Sequence, residues 1–141
     1  MGEDPFRVVF PESWGRRLSA PYPAEQLADL SRILHHPGSS DAAIFDAFFA
    51  RWDLHPRVVA HSDDFHATLA LVGAGLGAAL VPDLALREIP PRVVVADVAW
   101  FNISRSIFAL VHPDRVSAGL SDLLDGVAAS LAPDRPRNDA D

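Results

Sequence analysis

The sequence predicts an α/β layer structure built around a largely parallel sheet. Three observations carry this reading. Short β-branched or apolar runs alternate along the chain with longer segments whose apolar residues recur at helical spacing. Hydroxyl and carboxylate side chains, Ser39, Ser40 and Asp41 in one place and Ser62, Asp63 and Asp64 in another, stand where helices would begin. The 141 residues, 49% hydrophobic and 22% charged, are enough for one compact unit with a real core.

Taken in order, FRVVF (Phe6 to Phe10) is a β-branched and aromatic run stopped by Pro11 and reads as a strand. Residues 11–23 carry three prolines and a glycine and read as a loop leading to a short helix near Ala24 to Leu30. Ser31 to His36 is a strand candidate. The Gly38-Ser39-Ser40 cap predicts a helix from Asp41 to about Asp53, on which Ile44, Phe45, Phe48, Phe49 and Trp52 gather one broad apolar face. Arg57 to His61 follows as a strand after Pro56, and the next cap opens a helix with Phe65, Leu69 and Val72 on one side. Gly73 and Gly75 end that helix, and Ala78 to Val81 is a buried strand closed by Pro82. Val93 to Val95 and Ile107 to Val111 are two more strands. Ser117 caps a last helix with Leu120, Leu123, Leu124, Val127 and Leu131 on its buried side, and residues 133–141 form a polar tail expected to be disordered.

Nineteen acidic residues against twelve arginines give a formal charge of −7, so the chain carries no electrostatic footprint for a phosphate backbone. The lack of cysteine excludes disulfides and thiolate metal sites. No apolar run reaches the ~18 residues of a membrane span, and the expected location is the cytoplasm, with no membrane partner.

Two motifs need weighing. In LVGAGLGAALVP, Gly73, Gly75 and Ala78 match the spacing of the dinucleotide fingerprint, but that site requires strand, glycine turn, helix, so that phosphate meets the amides of a helix start. Here the order is helix, glycine turn, strand, which offers carbonyls. A tight structural corner of Gly73, Gly75, Gly77 and Pro82 is the better reading, and no cofactor is expected. The run HSDDFH offers His61, Asp63, Asp64 and His66 as metal-ligating groups, yet its spacing matches no zinc arrangement, and the aspartates are accounted for as first-turn residues of a helix. No metal is expected. His35 and His36 would face opposite sides of a strand, and no G-x-S-x-G elbow is present, so nothing demands an enzyme.

LALVGAGLGAALVP resembles the segment of LysR-type transcriptional regulators that ends a helix, turns on glycines and enters a short strand closed by proline. The strand FRVVFP, the helix PAEQLADL, the helix after PGSS, the strand at HPRVV and the segment ISRSIFALVHPDRVSAGLSDLLDGVAASL, with Arg105 at its head, resemble the same family in order, over nearly all of residues 5–132. One departure is WDLHP, residues 52–56, where the family usually has a glycine shortly before the proline.

The resemblance implies a type 2 periplasmic-binding-protein-like subdomain, three-layered, with a mostly parallel mixed sheet of about five strands. It is the second half of a small-molecule-sensing domain spanning residues 1–132 and incomplete relative to the family, with the DNA-binding helix-turn-helix expected to lie outside this chain. It implies effector contacts at His35, His36, Ser39, His61, Ser62 and Asp63, and pairing of two copies through the helix bearing Phe45, Phe49 and Trp52. A helix start welcomes anions, but Asp63 and Asp64 already occupy this one and would repel a carboxylate, so the effector is expected not to be anchored by an anionic group at this loop. A free-standing small-molecule binding protein of the same fold, and a metal-dependent enzyme using HSDDFH, are the alternatives.

Overall fold

A computed structural model describes residues 1–15, 18 and 20–131. The chain divides into two units, Pro5–Arg105 and a smaller one formed by Met1–Asp4 with the residues from Ser106 on.

In the larger unit the predicted alternation is realised as β2 (Ser31–Leu34), α2 (Ser40–Arg51), β3 (Arg57–His61), α3 (Phe65–Gly73) and β4 (Ala78–Pro82), preceded by the short helix α1 (Ala24–Ala28) and followed by β5 (Val93–Ala96). β1 (Gly2–Pro11) and β6 (Ser104–Ile107) each contribute residues to both units, and the strand order is β3-β2-β4-β1-β5, with β6 also paired to β1. β2 runs parallel to both β3 and β4, because α2 and α3 return the chain to the same end of the sheet. β1 threads between β4 and β5 and is antiparallel to both. The sheet is mixed, as expected, but its parallel part is confined to β3-β2-β4; strand and helix alternation carries no information about an inserted strand.

Side chains along β1 and β4 alternate between two faces. Phe6, Val8, Phe10, Ala78 and Leu80 pack with Phe45, Phe48 and Phe49 of α2, while Val9, Ala79 and Val81 pack with Leu69 and Val72 of α3. Three layers result, helix, sheet and helix. Phe45 and Phe49 are 2% and 5% exposed, so the expected interface role does not hold for them: their rings are spent on the chain's own core, and of the three residues only Trp52, 43% exposed, has surface to offer.

The glycine corner is a Schellman motif. Gly75 N–H donates to the Val72 carbonyl and Leu76 N–H to the Leu71 carbonyl, with Gly75 at φ +90°, a conformation glycine adopts without steric penalty. α2 ends by the same pattern, Asp53 N–H to Ala50 O and Leu54 N–H to Phe49 O, but with Asp53 rather than glycine at φ +51°.

In the smaller unit Ser106 Oγ donates to Glu3 Oε1 at 2.7 Å, and Ser117 Oγ caps α4 (Ala118–Leu131) through Leu120 N–H. Two expectations change here. The strand lies at Ser104–Ile107, not Ile107 to Val111; Phe108 and Leu110 are 68% and 90% exposed, and the apolar pattern is no guide to a strand where the run has nothing to pack on. The apolar side of α4 is likewise not buried, with Leu123 62% and Val127 41% exposed. The polar tail lies outside the described residues, of which no helix is long and apolar enough to cross a membrane.

Candidate functional site

Parallel strands joined by helices bring strand C-termini and helix N-termini to one edge of the sheet, where ligands of open α/β folds are commonly held. In the larger unit this edge collects the residues after β2 (His35, His36), the end of β3 with its following loop (His61, Ser62, Asp63), and the starts of α2 and α3.

The two loops are tied together by hydrogen bonds. His36 N–H donates to Asp63 Oδ1 at 2.9 Å, and His36 Nδ1 lies 2.9 Å from Asp63 Oδ2. His61 Nδ1 is 3.0 Å from the His35 carbonyl, Ser62 N–H donates to the Leu34 carbonyl at 2.9 Å, and Ser62 Oγ donates to the Asp64 carbonyl. The His36 backbone N–H, helped by its ring and by the charges of His36 and His35, holds the Asp63 carboxyl below the usual carboxylate range. The rings of His36 and His61 lie side by side, centroids 5.4 Å apart and planes inclined at 31°.

Both helix starts are already occupied by the chain's own groups. Ser39 Oγ accepts from Ala42 N–H at the start of α2. Asp64 Oδ1 accepts from Ala67 N–H at the start of α3, and that bond keeps the Asp64 carboxyl ionised to lower pH than usual. Asp41, in the first turn of α2, pairs with Arg105 of β6 at 3.3 Å.

Behind the polar edge is an aromatic floor. Buried His35 lies edge-on between Phe45 and Phe65 at 5.6 and 5.1 Å, and the Arg105 guanidinium lies over Phe65 at 5.4 Å and Phe6 at 5.9 Å. Five of the six expected contact residues, His35, His36, His61, Ser62 and Asp63, are thus brought together, while Ser39 serves its helix as a cap. His35 faces the core and His36 solvent, as adjacent strand-end residues should. The Asp41–Arg105 pair was not foreseen; Asp41 reads in sequence only as a helix-start charge, and a partner 64 residues away leaves no local pattern.

The HSDDFH run does not assemble as a ligand set. Asp63 turns to His36 and Asp64 to its own helix, and among the described residues no group of three or more His, Asp or Glu is placed to hold a metal ion. Glu12, Ser13, Gly73, Ala74, Gly75 and Arg92 line a hollow of about 410 Å³ beside the other end of α3.

No curated protein sequence matches the chain. Among solved structures, the fold is similar to the CcmR regulatory domain of Synechocystis in complex with 2-PG, with a TM-score of 0.74 at 18% identity over 92% of this chain and 64% of that one. It is similar to HinK, a LysR family transcriptional regulator from Pseudomonas aeruginosa, with a TM-score of 0.71 at 20% identity over 93% and 46%. The effector binding domain of QuiR in complex with shikimate matches with a TM-score of 0.59 at 22% identity over 73% and 49%. The chain therefore spans between about half and two thirds of the length of these structures. Residues 1–132 match the family model described as the LysR substrate binding domain, and with its helix-to-strand glycine corner and three-layer mixed sheet the chain belongs to that family.

Proposed function

We propose that the chain is the ligand-sensing part of a LysR-type transcriptional regulator, and that a small-molecule effector rests on the sheet edge formed by His36, His61 and Ser62, above the His35, Phe65 and Arg105 floor. The observation that carries this reading is the convergence of two strand ends and two helix starts on one polar edge within a family of substrate-binding domains. We read the arrangement as one of binding: the Ser62 hydroxyl is given to the Asp64 carbonyl and the Asp63 carboxylate to His36. Asp63 is turned to His36 and Asp64 into the α3 start, and both carboxyls stay ionised to lower pH than usual, so an anionic anchor on the effector would meet repulsion there. The effector is expected to present neutral or cationic hydrogen-bonding groups to this loop.

In this reading the ligand acts by favouring one of two conformations, and the bias is set by its difference in affinity for them. Contact with DNA belongs to a helix-turn-helix outside these residues, in the cytoplasm. A second copy of the chain is the expected protein partner, docking on the exposed side of α2 at Trp52, which is 43% exposed. Light scattering should find dimers or larger species at high concentration, reduced by Trp52→Arg; a strict monomer would remove the interface from the reading.

The effector site is tested by mapping amide shifts on addition of a panel of small metabolites with and without carboxylates. A binder should move His36, His61 and Ser62, and His61→Ala should weaken it. Shifts confined to the Glu12, Gly73 and Arg92 hollow would overturn the assignment.

A further inference from the structure

The hydrogen bonds of the two exposed imidazoles fix which nitrogen each leaves to a ligand. A backbone carbonyl has no proton to give, so the His61 ring must donate from Nδ1 to the His35 oxygen. An ionised carboxylate has none either, so His36 donates from Nδ1 to Asp63. In the neutral ring each Nε2 is then a lone-pair donor. A ring nitrogen held by a carbonyl or carboxylate while the other stays bare is the arrangement that orients metal-binding histidines and raises their basicity.

The spacing also fits. Two imidazoles sharing one tetrahedral ion at about 2.0–2.1 Å per bond keep their ring centres about 5 Å apart. The centroids of His36 and His61 are 5.4 Å apart, and both rings are on the surface. We propose that His36 and His61 form a two-histidine site for a divalent transition cation of the zinc, nickel or copper class, held by both Nε2 atoms and backed by Asp63 and the His35 carbonyl. The pair joins the chain just past β2 to the end of β3, and of the HSDDFH run only His61 would touch the ion, with Asp63 behind His36. With two protein ligands, the remaining positions go to water or to donor atoms of a bound small molecule, and a hard cation such as magnesium, which takes oxygen ligands, is refused. The site does not depend on the effector reading.

The test uses the full chain, metal-free, titrated at neutral pH with zinc, nickel and, separately, magnesium. One equivalent of zinc or nickel should bind at sub-millimolar concentration and magnesium should not. With isotopically labelled histidine, the Nε2 resonances of His36 and His61 should move while both Nδ1 protons stay in place. The copper-loaded chain should show electron paramagnetic coupling to two equivalent imidazole nitrogens. Asp63→Asn, which keeps an acceptor but removes the charge, should weaken zinc by about tenfold, and His36→Gln or His61→Gln by more than the about 10–100-fold of outer-shell losses. Zinc binding unchanged in both histidine variants, or coupling to a single nitrogen, or metal-shifted resonances at His55 or His112 instead, would overturn the proposal. An effector that binds equally well with chelator present would leave the sensing function standing, and metal binding with no responding effector would do the reverse.

Discussion

Both oxygens of Asp63 are held by His36, which donates its backbone N–H to Oδ1 and its ring to Oδ2, each at 2.9 Å, while His35 Nδ1 stands 3.4 Å from Oδ1. The carboxylate therefore acts as a clamp from the α3 loop onto the chain leaving β2. Asp63→Ala should abolish exchange protection of the His36 amide, while the Ser62 amide, bonded to the Leu34 carbonyl, keeps its own. Equal protection of His36 in the variant would show that the clamp contributes nothing.

Asp64 makes the α3 start sensitive to acid. Its folded-state carboxyl titrates below the ordinary range, chiefly because it accepts the Ala67 N–H, so its stabilisation is complete above the unfolded carboxylate range and is lost as pH falls through the lowered value. Asn caps as well as Asp but does not titrate. Thermal melts of Asp64→Asn should accordingly fall less steeply with pH on the acid side than those of the parent chain. Parallel acid limbs would place the pH dependence elsewhere.

The end of α2 stores a small amount of backbone strain. A left-handed conformation costs ordinary residues about 1–2 kcal/mol, and somewhat less for Asp, while Gly brings an entropic cost of roughly 0.5–1 kcal/mol. Asp53 at φ +51° is exposed, and its nearest ionic partner, His55, is 3.9 Å away. Asp53→Gly should raise stability by about 0.5 kcal/mol by denaturant unfolding. A loss of stability would mean that the Asp53 side chain contributes more than its geometry indicates.

What the sequence reveals follows the range of the interaction. Caps are local, so Ser39, Asp64 and Ser117 locate the starts of α2, α3 and α4. β3 and β4 are bounded by prolines and glycines and fall where the pattern places them. The site loops are legible for the same reason: His36, His61 and Asp63 stand at or within two residues of the ends of strands whose direction the pattern gives. β1 between β4 and β5, the Asp41–Arg105 pair and the exposed face of α4 are not legible, since each depends on what lies across the fold rather than along the chain.

Two glycines of the corner are required for different reasons, and one experiment separates them. At Gly75 an added Cβ would meet nothing within 4 Å, so only the φ of +90° opposes a side chain. Gly75→Ala should cost about 1 kcal/mol, and Gly75→Asn less, because Asn accepts left-handed backbone more readily. At Gly77 the conformation is ordinary but a Cβ would lie 3.0 Å from the Ser31 carbonyl oxygen and 3.2 Å from Val59 Cγ2. Backbone of β2 would have to yield, so Gly77→Ala should cost about 1–3 kcal/mol and Gly77→Asn more. The order of Ala and Asn is thus opposite at the two positions. If Asn proved worse than Ala at Gly75 as well, crowding would limit both, and the left-handed turn would not be what requires glycine there.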